Sequence, residues 1–144
     1  MARAVTGQED VGMALALSHT TVNALDAHAQ SVWWADLLGY HEDPADPNEP
    51  GHEECMIFSP DESHRLLFIE VEDAKQVRNR VHLDLRPTDR PRDEEVARVV
   101  ALGATVVQDC RTEDGRGWVV MGDPEGNEFC ILRSDDERRA AGDL

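Results

Sequence analysis

The chain repeats itself. Twenty positions separate His19 from Gly39, and twenty-one separate His82 from Gly103. From each of those glycines it is twenty-one further positions to a turn proline, Pro60 or Pro124. Leu38-Gly39 matches Leu102-Gly103, and Ser59-Pro60-Asp61 matches Asp123-Pro124-Glu125. A repeat of this length is one supersecondary unit, which cannot bury its apolar face alone and must pack against its copy.

The elements between these marks run in one order twice. Leu15 to Ala24 is β-branched enough for a strand. Asp26 is a helix N-cap, Ala27 to Leu38 is helical in pattern, and Gly39 is a natural stop. Residues 41–54, rich in Pro, Asp and Glu, read as a loop. Strands follow at Cys55 to Phe58 and Arg65 to Val71, and residues 72–79 form a link. The second half opens with the alternating strand Arg80 to Arg86. Next comes a helix over Arg92 to Leu102, acidic at its start as the helix dipole favours, which Gly103 stops. Strands are expected at Thr105 to Gln108, Trp118 to Met121 and Glu128 to Leu132. The fold expected is α+β: two βαβββ modules, about 13–72 and 80–134, forming a curved mixed sheet around a central pocket. Polar tails are expected over 1–12 and 135–144.

Composition narrows the partners. With 30 acidic and 14 basic residues the formal net charge is −16. Such a surface repels phosphate backbones and anionic lipid, so neither nucleic acid nor membrane is expected. Three widely spaced cysteines with no CxxC pair argue against a disulfide framework and for the reducing cytoplasm. No stretch has the roughly 18 apolar residues of a membrane span.

Each module opens on a strand carrying one histidine, His19 or His82. Alternate residues of a strand share a face, so Glu128, Cys130 and Leu132 point together, as do Leu66, Phe68 and Glu70. Counted from the turn prolines, all six lie at even offsets, and the two faces are expected to point the same way. Were the modules to pair, His19, His82 and these faces would converge. Two imidazoles with one or two carboxylates make a first-row metal site with an open position, a Lewis acid for a carbonyl, enolate or bound oxygen.

HTTVNALDAHAQSVWWADLLGY resembles the first strand and helix of the vicinal oxygen chelate superfamily. NRVHLDLRP, ALGATVV and DPEGNEFCIL resemble its second module, in the glyoxalase-like branch found in actinobacteria. The superfamily includes glyoxalase I, extradiol dioxygenases, fosfomycin-modifying enzymes, epimerases and bleomycin-sequestering proteins. The resemblance implies paired modules around a pocket, often in a homodimer. It also implies metal ligands from the first and last strands: His19, His82 and Glu70, with Cys130 or Glu128 as a fourth. Counting from Pro60 favours Leu66 over Glu70 for the first module. The last-strand position holds Cys130 where metal-dependent members carry Glu.

Two functions follow from the resemblance. One is a protein that binds a small organic molecule without metal, its pocket lined by Phe68, Asp84, Trp118 and Cys130. The other is a lyase, isomerase or dioxygenase using one divalent metal (Zn, Fe, Mn or Ni); glyoxalase I activity itself is not expected without the last-strand Glu. Read alone, Cys130 is a small buried hydrophobe, since free cysteine is among the most buried residue types. Asp123, Pro124 and Gly126 are explained by a turn.

Overall fold

A computed structural model describes residue 12 and residues 14–144. The tail expected over 1–12 otherwise lies outside the described residues.

The first module begins with β1, Thr20–Ala24, and α1, Ala27–Leu38. The Asp26 carboxylate accepts from the Ala29 N–H at 2.9 Å, and Gly39 ends α1 in the left-handed conformation, φ 67°. Ala27, Gln30, Ser31, Trp34 and Leu37 recur at helical spacing and form the buried stripe of α1. β2, Glu54–Phe58, and β3, Arg65–Glu70, pair antiparallel, while β1 runs parallel to β3, giving the order β1-β3-β2. Cys55, Ile57, Leu66 and Phe68 are buried, two from each strand and paired across the ladder. α1 packs on this face. Burying side chains the size of Ile57, Leu66 and Phe68 contributes about 1.5–3 kcal/mol each.

The second module repeats the plan. β4, Leu83–Leu85, is followed by α2, Arg92–Ala101, with Asp93, Glu94 and Glu95 in its first turn. β5, Thr105–Asp109, β6, Val119–Gly122, and β7, Glu128–Ile131, complete a sheet of order β4-β7-β6-β5, in which β4 is parallel to β7. The architecture is mixed α+β, two sheets of mixed strand orientation. The first sheet has one strand fewer than the second. Only an isolated bridge, His41 to Phe58, stands where β5 would have its counterpart. The Pro- and Asp-rich loop around it lacks the side chains for a longer ladder.

The C-terminal stretch expected to be a tail forms α3, Asp135–Ala140. Ser134 and Glu137 cap each other's backbone N–H in a capping box.

The helix-bearing sides of both sheets share one core. Trp34 of α1 meets Phe129 of β7 edge to face, ring centroids 5.1 Å apart, and Trp33 meets the same ring at 6.0 Å. Leu66, Phe68, Val99, Met121, Phe129 and Ile131 belong to this cluster. Within one chain the modules therefore meet through a packed apolar joint, and the opposite face of each sheet is left outward.

Candidate functional site

Register shows which residues of the two modules correspond. Thr20 pairs with Leu66, and Leu83 pairs with Phe129. The pairs closing the hairpins are Phe58 with Arg65 and Gly122 with Glu128. Aligned on these pairs, His19 corresponds to His82, Thr21 to Asp84, Arg65 to Glu128 and Leu67 to Cys130. Each histidine sits one residue before its strand, on the parity opposite to the core.

The last-strand faces do not correspond as proline counting suggested. The turn from β2 to β3 spans 59–64, one residue longer than the turn at 123–127. One extra residue moves every following side chain to the other face. Leu66 and Phe68 consequently point into the core, while Cys130 and Glu128 lie on the outer parity. Phe68 is fully buried among core residues, on the opposite side of its sheet from the outer face. Glu70 pairs with Ala24 at the far end of β3 from His19, about 16 Å along the strand and on the opposite parity. His19 and Glu70 cannot hold one ion.

On the outer face of the second sheet, Asp84 is the direct neighbour of Cys130, and Val120 flanks Cys130 from β6. Gln108 of β5 pairs with Val120, and Trp118, half exposed, has the parity of Val120. Burial first, then the Asp84 carboxylate beside it, pushes the Cys130 thiol up to about 11. Both causes disfavour the thiolate, and neither makes Cys130 an activated nucleophile.

Glu128 is committed elsewhere. Its Oε1 accepts from Lys75 Nζ at 2.8 Å, and its Oε2 accepts from the Asn79 N–H at 2.9 Å. Burial raises its pKa, but Lys75 and the Asn79 N–H outweigh it and hold the carboxyl below its ordinary value. The carboxylate thereby ties the linker between modules to the start of β7. His82 joins the same linker, its Nε2 bonded to the Asn79 carbonyl at 2.8 Å. The Nδ1 of His82 has no hydrogen-bond partner among the described residues. His19 Nδ1 lies 2.9 Å from Ser18 Oγ.

Among the described residues no group of three His, Cys, Asp or Glu side chains is arranged to hold a metal ion. The residues present within one chain do not fit a divalent ion. Glu128 is occupied by Lys75 and the Asn79 N–H, Glu70 is on the wrong face, and among the described residues no third donor joins Asp84 and Cys130. Nor do His19, His82, Asp84, Trp118 and Cys130 line the cleft of about 260 Å³ beside α2 or the clefts of comparable size. On this face Asp84 and Trp118 are exposed, whereas Val120, Glu128 and Cys130 are buried.

The turn before β7 carries a contact that sequence reasoning missed. The Asp123 carboxylate, buried, accepts from Gln30 Nε2 and Trp34 Nε1 of α1, each at 3.0 Å, and from the Glu125 and Asn127 N–H groups of its own turn. Glu125 accepts from the Leu25 and Asp26 N–H groups at the start of α1. This turn docks one module on the other.

Among curated proteins none matches by sequence. Solved structures that are similar include a point mutant of the fosfomycin resistance protein FosX from Listeria monocytogenes, complexed with Mn(II) and 1S,2S-dihydroxypropylphosphonic acid. It is 20% identical, with a TM-score of 0.64 over 88% of this chain and 96% of that one. FosX from Mesorhizobium loti is 19% identical, with a TM-score of 0.61 over 90% and 99%. A glyoxalase/bleomycin resistance protein/dioxygenase family enzyme from Burkholderia phytofirmans PsJN is 17% identical, with a TM-score of 0.58 over 79% and 94%. These likenesses show a shared fold. The family model described as Glyoxalase-like domain matches residues 19–132. Module order, register and this match together make the chain a member of the glyoxalase-like domain family.

Proposed function

We propose that this chain binds a small organic molecule on the outer face of its second sheet, without a resident metal. Asp84 and His82 are the polar anchors, and Trp118 offers a ring to stack on. The observation that carries this reading is Cys130: a buried thiol, not a carboxylate, stands at the last-strand position, paired with Asp84 across the ladder. The net charge of −16 favours a neutral or cationic ligand over an anionic phosphonate.

The working unit in this reading is a homodimer, in which a second copy covers the open face. Val77, Val81 and Trp118 are 77%, 80% and 45% exposed, and Leu15 and Leu17, ahead of His19, are 92% and 86% exposed. Apolar groups left this bare on and around the two histidine-bearing faces favour a partner surface. Three free cysteines fit a cytoplasmic setting. No helix among the described residues is long and apolar enough to cross a membrane.

A metal-dependent lyase, isomerase or dioxygenase is the second reading. It is favoured by the corresponding positions of His19 and His82, and it requires His19 of one copy to approach His82 of another. The test is a thermal-shift screen of neutral and cationic natural products on protein treated with chelator. Stabilisation that falls in Asp84→Asn supports the first reading. Stabilisation that appears only after Mn(II) is restored supports the second.

A further inference from the structure

The cleft of about 260 Å³ beside α2 lies on the helix-bearing side of the second sheet, away from the outward Asp84–Cys130 face. Leu37 of α1, Leu85 of β4, Val99 of α2 and Ile131 of β7 give it an apolar floor. Arg90 and Arg98 stand in its wall. Arg90 spends Nε and Nη2 on Asp89, at 3.0 and 3.3 Å. Arg98 spends Nε and Nη2 on Glu95, and Nη2 also donates to the Leu37 carbonyl at 3.1 Å. The Nη1 of each has no partner among the described residues. Guanidinium groups only donate, and the nearby carboxylates of Asp89 and Glu95 already accept from these same two arginines. The cleft thus joins an apolar floor to unfilled, charged donors, on a chain that elsewhere repels anions.

We infer that this cleft is a second small-molecule site, specific for an apolar monocarboxylate. The floor takes the hydrocarbon body, and Arg90 and Arg98 take the carboxylate. The volume of about 260 Å³ lies just under the usual range of ligand pockets, which suits an acid no larger than bicyclic aromatic size. The site shares no residue with the Asp84 face and stands or falls separately from the function proposed for it.

The test is titration calorimetry of the whole chain with 2-naphthoate, 2-naphthylmethanol and 2-naphthylmethylamine, three ligands of one shape and different heads. Saturable binding is expected for the acid and binding about tenfold or more weaker for the alcohol and amine, since a charge-assisted pair is lost. Arg90→Gln should weaken the acid by about tenfold, as a lost charge-assisted hydrogen bond does. Thr88→Trp, on the exposed rim, should block it by filling the mouth. Asp84→Asn should leave it unchanged. Absence of saturable binding, equal binding of all three heads, indifference to both Arg90→Gln and Thr88→Trp, or loss in Asp84→Asn would each overturn the proposal.

Discussion

Trp34 donates its indole N–H to the Asp123 carboxylate, 3.0 Å away across the joint between modules. Gln30 donates to the same oxygen, so one buried carboxylate holds two side chains of α1. Asp123→Ala leaves both donors buried without an acceptor and frees the 123–127 turn. A loss of about 2–3 kcal/mol is expected, because buried donors are left without an acceptor. Urea unfolding followed by tryptophan fluorescence measures it. A change below about 1 kcal/mol, the scale of a surface substitution, would contradict this role.

Glu128 predicts an acid limb of stability. Its folded pKa is depressed, so its contribution is fully present above the unfolded value and is lost as pH falls through the folded one. Glu128→Gln removes the charge that Lys75 and the Asn79 N–H compensate. The variant should be destabilised by about 2 kcal/mol near neutral pH. Between about pH 5 and 3 the gap should narrow, because only the parent protein loses this term. A gap that stays constant with pH would show that Glu128 acts through shape alone.

Thiol chemistry distinguishes the three cysteines. Cys55 and Cys130 are buried and Cys110 is half-buried. Burial raises both the Cys55 and the Cys130 thiols. One thiol per native chain should react readily with iodoacetamide at neutral pH, and peptide mapping should find the label at Cys110. Rapid modification of Cys130 in folded protein would mean that it is an activated thiolate.

Arg92 anchors the loop before β6. Its buried guanidinium donates Nη1 to the carbonyls of Gly115, Arg116 and Gly117 at 3.0–3.2 Å. Gly117 has φ +86°, and a Cβ there would stand 2.0 Å from the Cys110 carbonyl oxygen. Arg92→Met and Gly117→Ala should each destabilise by about 2 kcal/mol or more and expose this loop to limited proteolysis. Unchanged cleavage rates in both would refute the anchoring.

Most of the framework is legible in the sequence because punctuation survives divergence. The spacing from histidine to glycine aligned His19 with His82, and the register of both sheets agrees. Proline counting put Leu66, Phe68 and Glu70 on the wrong face because the first turn holds one extra residue, which spacing alone does not reveal when both turns are polar. α3 was passed over because DDERRA has no apolar stripe, although Ser134 and Glu137 carry the capping-box spacing. The bond from Trp34 to Asp123 spans 89 positions, and no local pattern announces it. Asp123 alone in a turn sequence is already accounted for by the turn.

The most direct test of binding without a resident metal is elemental analysis of tag-free protein grown with manganese, zinc, nickel and iron, beside a His82→Ala variant. The account predicts metal far below one ion per chain in every preparation, with no difference in the variant. Close to one ion per chain, lost in His82→Ala, would contradict it and establish a metal centre that depends on His82.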